Sequence, residues 1–202
     1  IPGQNLRFIH NQVLLKHVRN LYAESTIKKK SMLDLGCMYN FILPQVGNKN
    51  DYRLAVDLIS EFEFRKQSSK HPFRFKSDYI STDIENFKTE LKFDIIICSE
   101  VAEHVLNPFN LFSKIYDCLS DNGKVIITFP NVLLLQERLR FLITGRFNNY
   151  PYEVNKYGHT NIFIKENFRS LIELNGLQIE RRLNSFRFPY PFLNIVKLSE
   201  LP

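Results

Sequence analysis

Cysteine is scarce in this chain: Cys37, Cys98 and Cys118 are the only three among 202 residues. Three scattered thiols exclude a disulfide framework and the paired spacing of a zinc site. Two of them lie at the ends of apolar runs, where a free thiol behaves as a small hydrophobe. A reducing, cytoplasmic setting is the expectation that follows. Long apolar runs are also missing, and no stretch approaches the roughly 18 residues that a membrane span requires. Internal repeats and low-complexity tracts are absent, and the only basic run is Lys28-Lys29-Lys30. The balance of 27 basic and 21 acidic residues leaves a net charge of +6. That mild excess, without a broad basic face interleaved with aromatics, argues against nucleic acid as a partner. No cluster of metal ligands is evident along the chain, so no metal site is expected.

What is present suits one folded domain over residues 1–202, with a hydrophobic fraction of 44%. The most informative stretch is Ser31-Met32-Leu33-Asp34-Leu35-Gly36-Cys37-Met38-Tyr39-Asn40. An apolar run carrying an acid, Asp34, breaks at Gly36, as a buried parallel strand does where it hands over to a tight ligand-binding turn. Glycine there lets the backbone turn sharply and approach a ligand closely. Roughly 20 residues on, Arg53-Leu54-Ala55-Val56-Asp57 is a second run ending in an acid, the place where doubly wound folds present a carboxylate to a ribose. Phe73-Arg74-Phe75-Lys76 reads as a third strand leading to Asp83-Ile84-Glu85. Asp78 competes with Asp83 for the role at its end. Phe93 to Cys98 is a fourth, leading to Ser99-Glu100-Val101-Ala102-Glu103-His104, and Gly123 to Phe129 is a fifth. Strands alternating with helices predict an α/β, Rossmann-like fold: a mostly parallel sheet of about seven strands with helices on both faces.

With these segments in place the chain resembles the class I methyltransferases that use S-adenosylmethionine. Within them it is most similar to the small-molecule branch of ubiquinone- and methionine-biosynthesis type. The matching elements are Leu33-Asp34-Leu35-Gly36-Cys37, Ala55-Val56-Asp57, Asp83-Ile84-Glu85, and Phe93 to His104 with Asn107-Pro108. Asp121-Asn122-Gly123-Lys124 and Gly158-His159-Thr160 complete the match over roughly residues 31–183. The resemblance implies a methyl transfer to a small-molecule acceptor, with oxygen favoured. S-adenosyl-L-methionine would be the methyl donor and S-adenosyl-L-homocysteine the product. It implies that Asp34, Gly36 and Cys37 flank the methionine end of the cofactor and that Asp57 and Leu58 meet the ribose. Asp83 and Ile84 would then take the adenine, and Ser99 and Glu100 would line the cleft. His159 and His104 become candidate bases, since imidazole titrates near neutrality and can take a proton from a hydroxyl.

One departure stands out. The family's turn carries three alternating glycines, whereas Gly36-Cys37-Met38-Tyr39-Asn40 keeps the first alone. Asn40 is expected to adopt the left-handed conformation in place of glycine. Met38 is expected to crowd the cofactor's methionine end. A degenerate, non-catalytic fold that binds a ligand or a protein partner is therefore the alternative. The same turn speaks against a nicotinamide-dependent enzyme, whose fingerprint needs three glycines. Outside the motifs, residues 5–24 form an amphipathic helix expected to pack on the sheet, with Gln12 or His17 placed to touch ligand. Residues 60–70 and 108–119 read as further helices, and Val132–Thr144 as an apolar one ending at Gly145. Residues 132–160 are expected to form a lid and substrate wall after the fifth strand. Lys165 to Asn175 is a last helix before a strand from Leu177 to Leu183, and the final strand of the sheet is expected to be short or missing.

Overall fold

A computed structural model describes residues 2–147, 158–184 and 194–200. Seven strands form one sheet: β1 (Ser31–Leu35), β2 (Tyr52–Asp57), β3 (Asp78–Ser81), β4 (Phe93–Ser99), β5 (Leu119–Phe129), β6 (Leu177–Asn184) and β7 (Asn194–Glu200). Their spatial order is β3-β2-β1-β4-β5-β7-β6. The first five pair in parallel, and β7 runs antiparallel to β5 and β6. The final strand is thus present as Asn194–Glu200. The order reverses between β1 and β4, so the turns leaving their carboxyl ends open a crevice at the switch point.

Among the described residues five α-helices accompany the sheet: α1 (Pro2–Glu24), α2 (Glu61–Ser68), α3 (Pro108–Cys118), α4 (Leu135–Thr144) and α5 (Lys165–Leu174). Alternation along β1 divides the core. Leu33 and Leu35 pack with Phe112, Ile115, Phe168 and Ile172 of α3 and α5. Met32 faces the other way, joining Leu14, Val18 and Leu21 of α1 together with Ile95, Ile97 and Ile126. Asp34 shares the Met32 face by the same period of two. α1 therefore packs on the sheet as expected. Gln12 is exposed, and partial burial of His17, seconded by the charges of Lys16 and Arg181, lowers its pKa.

Two element expectations are corrected. The third strand is Asp78–Ser81, not Phe73–Lys76. Phe73 instead packs its ring on Phe41 and His71, while Phe75 lies under the Arg53 guanidinium at 4.3 Å. Asp78 accordingly starts the strand, at the end away from the crevice. The helix expected from Val132 begins at Leu135, because the Asn131 side chain accepts the Leu133 N–H at 3.0 Å and holds that turn out of the helix. Gly145, left-handed at φ 67°, ends α4 with its N–H on the Phe141 carbonyl. Of the 132–160 segment expected to form a lid, residues 148–157 lie outside the described residues.

Candidate functional site

Gly36 leaves β1 at φ 72° and donates its N–H to the Val56 carbonyl at 2.8 Å. A β-carbon at that position would stand 2.2 Å from Val101 Cγ2 and 3.5 Å from Ile84 Cδ1. The turns after β1, β3 and β4 therefore meet around a backbone that no side chain can enter. Beyond Gly36 the turn departs from expectation. Met38 adopts the left-handed conformation (φ 42°) and Phe41 does so as well (φ 47°), whereas Asn40 does not. Met38 is 39% exposed, so its thioether is not a core element. Cys37, expected beside the cofactor, sends its side chain into a buried cluster with Phe41, Ala55, Phe64 and Tyr79. Burial, with Asp34 and Asp57 nearby, pushes its thiol far up.

Asp34 is buried, and its carboxyl is held well above the usual range, chiefly by desolvation and then by the charge of Asp57. The two acids are close enough to repel, so a cation bound beside them would favour ionisation of Asp34. Asp57 ends β2 half-buried. Its Oδ2 accepts from the Met38 N–H at 2.7 Å and its Oδ1 from the Ile59 N–H at 3.2 Å. A carboxylate has about four acceptor positions, so the remaining lone pairs can still take hydroxyl donors. Leu58 beside it is 70% exposed. The neighbouring turn is tied in by Thr82, whose N–H donates to the Asp57 carbonyl at 2.9 Å. Asp83 uses Oδ1 to accept the Glu85 N–H at 2.8 Å, an Asx turn that fixes Ile84 against Gly36.

The fourth turn holds the titratable groups. Ser99, expected to line the cleft, is buried with its hydroxyl 2.8 Å from that of Thr128, a bridge between β4 and β5. Glu100 is left-handed (φ 56°), and both its N–H and its carboxylate meet the Thr128 hydroxyl at 3.1 Å. Glu103 is fully buried, and no other described residue donates a hydrogen bond to either carboxylate oxygen. Desolvation, and secondarily Glu100, raises its pKa well above the carboxylate range.

His104 and His159 lie edge to face with ring centroids 4.6 Å apart. A hydrogen bond to the Gly158 backbone holds His104. Partial burial lowers the pKa of both rings, that of His159 to about 4 with His104 contributing. One ligating atom each from Glu103, His104 and His159 lies within 4.8 Å of the others, a set able to hold a cation. This grouping has no contiguous signature in the sequence, since His159 comes to the fourth turn from a distant segment.

Three positioning residues had no role assigned from sequence. Thr160 and Asn161 donate backbone N–H groups to the Glu103 carbonyl at 2.7 and 3.1 Å, and their side chains reach the Val105 carbonyl at 3.1 and 2.6 Å. Glu85 accepts the Leu106 and Asn107 N–H groups at 3.1 Å each, joining the third turn to the fourth. The Gly-His-Thr string was the only signal for the first two.

Comparison with known proteins agrees with this geometry. A family model described as a methyltransferase domain matches residues 8–181. The ubiquinone biosynthesis O-methyltransferase of Rickettsia typhi is 26% identical over 124 residues, covering 58% of this chain and 50% of that protein. The Rickettsia canadensis protein of the same name is 29% identical, covering 61% of this chain and 51% of its own. The chain thus spans about half the length of these curated relatives. Among solved structures, magnesium protoporphyrin IX methyltransferase from Synechocystis with bound S-adenosylhomocysteine superimposes with a TM-score of 0.73 at 17% identity, covering 100% of this chain and 88% of that one. A Burkholderia thailandensis N1-methyltransferase, bound to 1,6-didemethyltoxoflavin and S-adenosylhomocysteine, gives 0.66 at 12% identity over 98% and 79%. These likenesses show the shared fold, and the family match covers most of the chain. The chain belongs to the methyltransferase-domain family.

Proposed function

We propose that this chain binds S-adenosylmethionine at the carboxyl edge of the sheet and methylates an oxygen of a small-molecule acceptor. The residues fit the cofactor. Gly36 offers a backbone surface with no room for a side chain, Asp34 and Asp57 supply acids suited to its cationic end and its ribose, and Leu58 and Ile84 give apolar contacts beside Asp83. The cofactor supplies a methyl group already made electrophilic by the sulfonium. The protein's share is then to align the acceptor and remove its proton.

The observation that carries the choice of oxygen is the imidazole pair. His104 sits three residues after Val101, the residue packed against Gly36, and its contact with His159 sets both rings beside the turn. A neutral imidazole can accept the acceptor's hydroxyl proton as the oxygen takes the methyl group. With a pKa near 4, His159 stays neutral throughout the physiological range and so is free to accept a proton, as a weaker base than an exposed imidazole. Relatives named as ubiquinone biosynthesis O-methyltransferases support the same chemistry. The left-handed backbone at Met38 favours an intact loop over a degenerate one.

Two measurements test the reading. S-adenosylhomocysteine should bind in calorimetry, and a panel of hydroxyl and amine acceptors should show methyl transfer to hydroxyls. His104→Ala or His159→Ala should lower kcat by roughly 10²–10⁴ with cofactor affinity little changed. No binding of the cofactor product would favour the non-catalytic alternative, and transfer to amines alone would move the acceptor to nitrogen.

A further inference from the structure

The apolar side of α4 faces outward. Its ten residues contain one acid, Glu137, and that acid is buried. Leu135, Leu139, Leu142 and Ile143 are instead 73%, 49%, 80% and 81% exposed. At about 100° per residue these four fall in one stripe roughly 100° wide, the width an ordinary surface helix turns towards its core. Here the stripe lies opposite Glu137 and points away from the protein. Arg138 borders it on one side and Arg140 on the other, and Arg146 follows the helix. All three arginines are exposed, and the helix bears no exposed acid.

We propose that α4 seats this protein on an anionic lipid surface. The stripe would enter the boundary between headgroups and acyl chains, as the apolar face of an interfacial helix does. The flanking arginines can lay their stems along that boundary and keep their guanidinium groups among lipid phosphates. The chain's net charge of +6 acts in the same direction. A second copy of the chain fits the stripe less well. Ten residues of helix extend about 15 Å, and one such face falls short of the roughly 800 Å² per partner of a stable interface. Pairing of two copies about a twofold axis would also bring their arginines together. α4 starts six residues after Phe129 ends β5, so a lipid-seated helix brings the carboxyl edge of the sheet, where the turns meet, to the headgroup level.

Co-sedimentation of the whole chain with vesicles tests the seat. Vesicles of phosphatidylcholine and phosphatidylglycerol in about equal parts should bind it at least tenfold more tightly than phosphatidylcholine alone, and high salt should weaken that binding. The double substitution Leu142→Ser with Ile143→Ser should lower binding about tenfold or more. Arg138→Gln and Arg140→Gln should each cost roughly fivefold on the anionic vesicles only. These side chains are exposed, so circular dichroism should show the variants folded as the parent. Absence of binding to anionic vesicles, or binding indifferent to the stripe substitutions, would overturn the proposal. A dimer that the same substitutions dissolve, with no vesicle binding, would overturn it in favour of a second copy.

Discussion

The backbone N–H of Met38 donates to Oδ2 of Asp57 at 2.7 Å, so the acid that ends β2 holds the residue that interrupts the glycine turn. This bond links the first two strand ends and explains how methionine is accommodated. Its backbone takes the left-handed conformation a glycine would take, with the side chain 39% exposed and outside the core. The methionine alters the wall of the turn more than its path.

Met38→Gly follows directly. Removing the side chain relieves a left-handed backbone that costs an ordinary residue about 1–2 kcal/mol. Glycine's extra freedom in the unfolded chain offsets about 0.5–1 kcal/mol of that gain. The melting temperature should stay level or rise slightly, and calorimetry with S-adenosylhomocysteine should show equal or tighter binding. Asn40→Gly relieves no such strain and should destabilise by a few tenths of a kcal/mol, to about 1. A drop of 2 kcal/mol or more for Met38→Gly would mean that the thioether is a packing element.

Asp57 holds the turn and, in the function proposed above, also meets the ribose; two substitutions separate these duties. Asp57→Ala strands the Met38 and Ile59 N–H groups and should cost about 1–3 kcal/mol of stability as well as cofactor affinity. Asp57→Asn keeps an amide oxygen to accept from the turn and should melt near the parent. It loses the charge that strengthens hydrogen bonds to ribose hydroxyls, which is worth roughly tenfold or more in affinity. If Asp57→Asn binds S-adenosylhomocysteine as well as the parent, the ribose contact lies elsewhere.

β1, β2, β4 and β5 were legible in the sequence because each is a buried run, apolar on both faces, that stops at an acid, a polar cluster or a proline. β3 was not. It is an edge strand of four residues with Tyr79 alone buried, and so has almost no hydrophobic signal of its own. Phe73 and Phe75 alternate like a strand but use their rings against Phe41 and Arg53. The acids of the candidate site could be read because their positions follow from strand ends. The trio of Glu103, His104 and His159 could not, since it depends on Thr160 and Asn161 tying a distant segment to the fourth turn. Cys37 and Ser99 sat at the right positions in the chain, but the turn at Gly36 sends Cys37 into the cluster with Phe41 and Ala55, and Ser99 spends its hydroxyl on Thr128.

The same trio predicts opposite pH dependences. Glu103 has a folded pKa above its unfolded value of about 4.3. Its contribution to stability is therefore complete below about pH 4.3 and is lost as pH rises through the folded pKa. Glu103→Gln cannot ionise, so in chelator-treated protein its melting temperature should gain on the parent as pH is raised from about 4. His159 is the reverse case, lowered to about 4 in the folded state. Its contribution is complete above about pH 6.5 and is lost as pH falls towards 4. His159→Gln should therefore gain on the parent as the solution is made acid. Melting curves across pH for both variants check this, and a Glu103→Gln difference that ignores pH would show that the parent carboxyl is not kept neutral.

Gly36 and Val101 offer a test of how tightly the turns converge. Gly36→Ala forces a side chain onto a backbone at φ 72° and drives its β-carbon to 2.2 Å from Val101 Cγ2. The left-handed conformation costs about 1–2 kcal/mol, and relief of the clash by movement of the turns a further 1–3 kcal/mol or so. Val101→Ala removes the clashing methyl, and the next atom, Val101 Cβ, stands at an ordinary 3.5 Å. The double variant should thus recover the steric part of the loss and keep the conformational part. Measured as a double-mutant cycle by denaturant unfolding, the two substitutions should couple favourably by about 1–3 kcal/mol. Cofactor-product affinity should recover less than stability, because the new methyl group still occupies the surface that Gly36 leaves open. Additive effects would mean that the first and fourth turns do not touch in solution, and the crevice built on their contact would have to be redrawn.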